Sequence, residues 1–169
     1  CKQIGREGDL KLLSATHLSE SVRWNPCRLG GASELQTKWF QSGVYLEPFY
    51  AKACEHGFLQ AFNCLIREMP SGFTLSDLVS VVGRLTEKEK DNHLKGLQYE
   101  LLNLTQGELG EILCCSGASS YSGHSDEVAS TGEEISLLDI TRKNEILFVD
   151  IPTEAKGVQS SRLGKLLLQ

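Results

Sequence analysis

The sequence lacks a long apolar run. Its uninterrupted hydrophobic stretches are a few residues long, against the roughly 20 that a membrane-spanning helix requires, so this stretch does not cross a bilayer as a helix. It lacks a C-x-x-C pair. The six cysteines stand at positions 1, 27, 54, 64, 114 and 115, and with no signal peptide they read as reduced, mostly buried thiols in a cytoplasmic setting. It lacks an excess of positive charge too. With 17 basic and 22 acidic side chains the net charge is −5, which argues against a broad, sequence-independent duplex-binding surface and leaves only a local basic patch.

Motifs of common chemistry are also missing. A phosphate-binding loop needs G-x-x-x-x-G-K-[ST], because consecutive N–H groups wrap the phosphates while the lysine reaches the outer ones. Gly164-Lys165 is the nearest match, but Gln159 takes the first glycine position and Leu166 the hydroxyl position. Cys54 and His56 are two residues apart, and such neighbours on a helix point about 200° apart, so they form no nucleophile–base pair. His17, His93 and His124 are scattered singly, without the i, i+4 spacing of zinc ligands, even with Cys114-Cys115 present. Asp150 ends an apolar strand pattern and reads as a loop-capping aspartate before it reads as a metal ligand.

What is present is enough for a core. A chain of 169 residues, 40% apolar, buries roughly 70% of its unfolded surface and needs no disulfide or metal staple. Leu10–Leu13 and Ser21–Trp24 read as one or two strands, the second closed by the turn former Asn25-Pro26. Ser33 with Gln36 has capping-box spacing, and Leu35, Trp39 and Phe40 give a short amphipathic helix that Gly43 ends. The strongest signal runs from Pro48 to Met69. There Tyr50, Ala53, Cys54, Gly57, Phe58, Ala61, Phe62, Leu65 and Met69 recur at three- and four-residue steps, the wide face of a central bundle helix.

Three more capping pairs, Thr74 with Asp77, Thr86 with Glu89 and Thr105 with Glu108, predict helices near 75 to 82, 87 to 104 and 106 to 115. The middle one carries a Leu94, Leu97, Leu101, Leu104 stripe. Residues 116 to 133 are rich in Ser, Gly and Thr, without apolar periodicity, and predict a mobile connection. A helical turn is expected over Ile135 to Ile140. Ile146–Val149 then reads as a strand buried on both faces and closed by Pro152, with helical spacing from Val158 to Leu168.

The expected fold is therefore mainly α: a helical bundle inserted between two strands of an α/β sheet of which this stretch holds a part. Its segments are 1–25 with strands, 26–140 helical with the 116–133 loop, and 141–169 as a strand-Pro-helix unit. The start at Cys1 and the stop inside an apolar helical pattern suggest a piece of a larger protein. For function, Trp24, Trp39 and Tyr45 near Arg23, Arg28 and Lys38 have the composition of a single-strand nucleic-acid groove. The candidate contacts for a partner or single-stranded DNA are thus Arg23, Arg28, Lys38 and Tyr45. Packing of Trp39 against the core helix is the plainer alternative.

The ordered segments "GREGDLKLL", "VRWNPCRLGG", "EPFYAKACEHGFLQAFNCLI", "GFTLSDLVSVV" and "NEILFVDIPTEAKGVQSSRLGKLLLQ" resemble the TraD/TraG-like coupling proteins of conjugation and type IV secretion. The individual pieces are degenerate, and their order and spacing carry the likeness over nearly the whole chain. The resemblance implies a helical all-alpha domain, near 26 to 140, inserted into a RecA-like motor. The ATP and Mg site of that motor would lie upstream of Cys1, so no catalytic, cofactor or metal residue carries over and this piece would not turn over ATP. It further implies a hexameric parent at the cytoplasmic face of the inner membrane. The partners would be a relaxase–DNA complex, an accessory relaxosome protein or secretion effectors. The other readings left open by the residues are a small thiol-dependent hydrolase and a helical adaptor unrelated to a motor.

Overall fold

The computed structural model describes residues 5–28, 30–42, 48–89, 92–106, 108–113, 133–151 and 153–168. After a 3-10 turn at Glu7–Asp9 the order is β1 (Leu10–Ser14), β2 (Arg23–Trp24), α1 (Ala32–Ser42), α2 (Pro48–Glu68), α3 (Leu75–Glu89), α4 (Asn92–Thr105), α5 (Glu108–Ile112), β3 (Glu134–Ile135), α6 (Leu137–Lys143), β4 (Ile146–Asp150) and α7 (Thr153–Leu168). The molecule is mainly helical. None of its described helices is long and apolar enough to cross a membrane.

The bundle core is the meeting of three leucine- and phenylalanine-rich faces. Phe58, Ala61, Phe62 and Leu65 of α2 bury against Leu75, Leu78, Val81 and Val82 of α3, and against Leu94, Leu97, Leu101 and Leu104 of α4. Burying such side chains contributes roughly 1.5–3 kcal/mol each. Gly57 permits the tight approach of α2 to α4: a Cβ built there would lie 2.0 Å from Leu94 Cδ2. The apolar stripe of α2 is longer than the surface that covers it, for Tyr50 and Met69 at its two ends are exposed.

Helix starts follow local hydrogen-bond supply. At α3 the expected capping box forms. Thr74 donates both its N–H and its hydroxyl to Asp77 Oδ2 at 2.8 Å, and Asp77 N–H reaches back to Thr74 Oγ1 at 3.4 Å. At the other three expected starts, Gln36, Thr86 and Thr105 make bonds elsewhere. Thr86 lies inside α3, its hydroxyl donating to Val82 O at 2.8 Å, so the helix continues to Glu89 instead of breaking near 83–86. A threonine whose hydroxyl is satisfied by its own helix sends no stop signal. Gln36 Nε2 donates across to Glu55 O of α2 at 2.9 Å, and α1 already begins at Ala32. Thr105 turns its hydroxyl back to Leu102 O at 3.2 Å, in the last turn of α4, and among the described residues α5 spans Glu108–Ile112. Asn144 ends α6 in the left-handed region (φ 55°). Its N–H and that of Glu145 close onto Thr141 O and Ile140 O, which stops the helix and starts β4.

Two parallel two-stranded ladders form the foot of the bundle. β1 pairs with β4 from Leu10↔Ile146 to Ser14↔Asp150, and β2 pairs with β3 at Arg23↔Glu134 and Trp24↔Ile135. On its other edge β1 is engaged as well: Val22 N–H donates to Leu12 O at 2.7 Å and Ser14 N–H to Ser21 Oγ at 2.9 Å. The ladders are tied by Lys11 to Glu133 at 2.7 Å, and Arg6 donates to Asn144 O.

The expectation that Ile146–Val149 is buried on both faces is overturned. Phe148 is 59% and Val149 40% exposed. The reason is that β4 has β1 as its strand neighbour among the described residues, and no described helix lies extensively over it. The expected loop at 116–133 falls almost wholly outside the described residues, as does Pro152.

Candidate functional site

An apolar cleft of about 330 Å³ lies where the foot meets the bundle. It is built from the turn after β2. Asn25 Oδ1 accepts from Cys27 N–H at 3.0 Å, and its Nδ2 donates to Phe73 O at 2.9 Å, so the Asn-Pro turn is pinned to the α2–α3 connection. That sets Trp24, Pro26 and Cys27 against Leu35, Lys38 and Trp39 of α1. Leu137, Leu138 and Thr141 of α6 and Leu166–Leu168 of α7 close the other sides.

An aromatic row runs from the lining into the core. Trp39 stacks on Phe58 with centroids 5.7 Å apart, Phe58 on Phe62 at 5.9 Å, and Phe62 meets Phe73 edge-on at 4.8 Å. The Arg162 guanidinium lies 5.0 Å from the Trp39 ring centroid, an attractive placement over a π face, and pairs with Glu100 at 3.1 Å. α7 is thereby locked to α1 and α4.

Of the four candidate contact residues, three lie among the described residues, and of these Lys38 lines the cleft. It is paired with Glu34 at 2.7 Å. Arg28 is exposed and bonded to Glu134 Oε1 at 2.5 Å. Arg23 is half-buried, in register with that same Glu134. Tyr45 lies outside the described residues. Trp24 and Trp39 are 7% and 3% exposed, so their rings serve the core and the cleft wall and present no open stacking platform.

Cys54, Cys64 and the glycine–lysine pair all lie within helices. Cys54 is buried while His56 is exposed, on different sides of α2. Cys64 Sγ donates to Glu68 Oε1 at 3.1 Å. That bond, with burial adding to it, pushes the thiol pKa up, away from the thiolate that nucleophilic chemistry needs. Gly164 and Lys165 sit inside α7, where backbone N–H groups belong to the helix, so they do not fit a nucleotide phosphate and its Mg. Among the described residues no group of three His, Cys, Asp or Glu is placed to hold a metal ion.

A polar cluster lies at the carboxyl ends of β1 and β4, and it was not legible in the chain as a cluster, since Ser14 and Asp150 are 136 positions apart. Asp150 Oδ2 accepts from Thr16 Oγ1 at 2.6 Å and from Ser14 Oγ at 2.9 Å. These two hydroxyls hold its carboxyl below the usual carboxylate range. Ser14 Oγ in turn accepts from the N–H groups of Thr16 and His17, and Asp150 O from Ala15 N–H at 3.1 Å. Asp150 thus organises the turn that leaves β1.

No protein-family model matches the chain, and no curated protein or solved structure matches it either.

Proposed function

We propose that the chain is the substrate-recognition helical domain of a conjugative or type IV secretion coupling ATPase, inserted between two neighbouring strands of a RecA-like α/β sheet. It would dock a relaxase–DNA complex, an accessory relaxosome protein or a secreted effector for ATP-driven transfer. The observation that carries this reading is the parallel pairing of β1 with β4. Parallel neighbours need a crossover connection, and here that connection is the entire helical bundle. A body rooted at both ends in adjacent strands moves with them as a unit, which suits a receptor that reports to a motor.

The cleft supports the docking half of the reading. It is apolar, concave and bordered by Lys38, the kind of pocket that takes an anchoring side chain of a partner. The acidic net charge of −5 suits protein docking better than tight duplex binding. ATP and Mg belong to the parent motor in this reading, in a hexamer at the cytoplasmic face of the inner membrane, and this chain supplies no catalytic group.

The test is titration of the chain with a purified relaxase–DNA complex, accessory relaxosome proteins, secreted effectors and single-stranded DNA, alongside an ATP turnover assay. Saturable binding of a relaxosome protein or effector, weakened by Trp24→Ala or Leu138→Asp and without ATP turnover, is expected. Absence of binding to all of them would remove the receptor role.

A further inference from the structure

The two edges of the β1–β4 ladder are not equivalent. In parallel strands, N–H and C=O groups of successive residues point to alternate edges. Ala15 N–H donates to Asp150 O, so Asp150, Phe148 and Ile146 direct their backbone groups toward β1, and Leu147 and Val149 direct theirs away from it. On β1 the outward groups are those of Leu12 and Ser14, and these are already engaged by Val22 and Ser21. One edge of the ladder is closed, and the edge formed by Leu147 and Val149 has no strand partner among the described residues.

That second edge is not built to face water. Solvent-facing edge strands are usually blunted by lysine, proline or a bulge. Ile146-Leu147-Phe148-Val149 holds no charge and no proline, pairs with β1 without a bulge, and exposes apolar side chains on both faces, Phe148 on one and Val149 on the other. A continuous apolar run is the mark of an interior strand of a parallel sheet, covered on both sides.

We infer that β4 is an acceptor strand: the ladder extends in one direction only, through the Leu147/Val149 edge, by taking an uncharged apolar strand of the host sheet parallel to β4. This rests on the proposed insertion into a motor sheet, and adds which edge joins the host and in which direction. A second copy of this chain fits the edge less well. Two-fold antiparallel pairing centred on Phe148 sets Asp150 across from Ile146 of the copy, and centring on Leu147 sets Glu145 across from Val149. Both registers put a carboxylate opposite an apolar side chain, whereas a parallel strand in register leaves Asp150 at the carboxyl end, held by Ser14 and Thr16.

The experiment uses the 169-residue chain and an eight-residue peptide of alternating Thr and Val, spin-labelled at its N-terminus, with amide exchange and line broadening read by NMR. Exchange of the Leu147 and Val149 amides is expected to slow about tenfold on adding peptide, with broadening confined to the Ile146 end. Val149→Pro, which removes one outward N–H and none directed at β1, is expected to abolish both effects and leave the bundle amides unchanged. Val149→Lys serves the same purpose if the proline disturbs the strand.

Broadening at the Asp150 end instead would overturn the parallel direction. Unchanged exchange with peptide, or edge amides already protected without it through contacts of this chain or of a second copy, would overturn the acceptor assignment. Cargo binding tells the two ideas apart. An edge that takes peptide in a chain that binds no cargo defeats the receptor reading alone, and an edge that refuses peptide in a chain that binds cargo defeats this inference alone.

Discussion

The bundle and its foot spend similar side chains in opposite ways. Phe62 and Leu97 are 2% and 0% exposed, and Phe148 is 59% exposed. The first two are covered because α2, α3 and α4 offer each other complementary stripes. Phe148 is exposed where β4 has one strand neighbour among the described residues. An apolar side chain records a need for cover, and whether that need is met depends on which other layers are at hand.

The comparison breaks most sharply by truncation. Phe62→Ala should destabilise the chain by about 4 kcal/mol, since it leaves a cavity among stacked rings. Phe148→Ala should change stability by no more than about 0.5 kcal/mol, because the side chain is largely in water already. Urea unfolding checks both, and equal losses at the two sites would erase the distinction drawn here.

A smaller effect sharpens the account of the bundle. Gly57→Ala should cost about 1–2 kcal/mol, the strain of overpacking against Leu94 being partly offset by the better helix propensity of alanine. Pairing it with Leu94→Ala should make the joint loss less than the sum of the single losses, which a double-mutant cycle measures. Additive losses would mean that α2 and α4 do not meet at this point.

The smallest effect concerns the foot. Asp150 is held below its ordinary pKa by Thr16 and Ser14, Glu133 by Lys11, and Glu68 by Arg84 first and Cys64 second. A depressed carboxylate stabilises the folded state above its unfolded-state pKa, and that stability is lost as pH falls through the folded-state value. Lowering the pH from neutrality through the carboxylate range should therefore loosen the Ala15–His17 turn. Protection of the Thr16 and His17 amides, taken relative to the intrinsic exchange rate at each pH, should fall in acid before that of the α4 amides. In Asp150→Asn that early, pH-dependent loss of protection should disappear. If the turn and α4 opened together in the unmutated chain, Asp150 would not be its organiser.

Parts of this were legible in the chain because they are local. The Pro48–Met69 periodicity and the Leu94 to Leu104 stripe mark buried faces, since residues three and four apart share a side of any helix. Thr74 with Asp77 marks a helix start because both partners lie within one turn. The same spacing at Thr86 and Glu89 misleads: a mid-helix threonine can bond its own turn as readily as a free helix end, and only the packing of α3 through Val82 decides which. The candidate contacts were less legible still, because Arg23 and Arg28 meet Glu134 across more than a hundred residues.

The sequence by itself determined the helices, their apolar faces and the absence of a phosphate loop, all of which depend on neighbours within a few residues. The tertiary structure alone decided that β1 lies beside β4, that Ser14 and Thr16 share Asp150, and that one ladder edge has no strand partner among the described residues. Those outcomes depend on contacts between segments far apart in the chain, whose free energy local patterning does not encode.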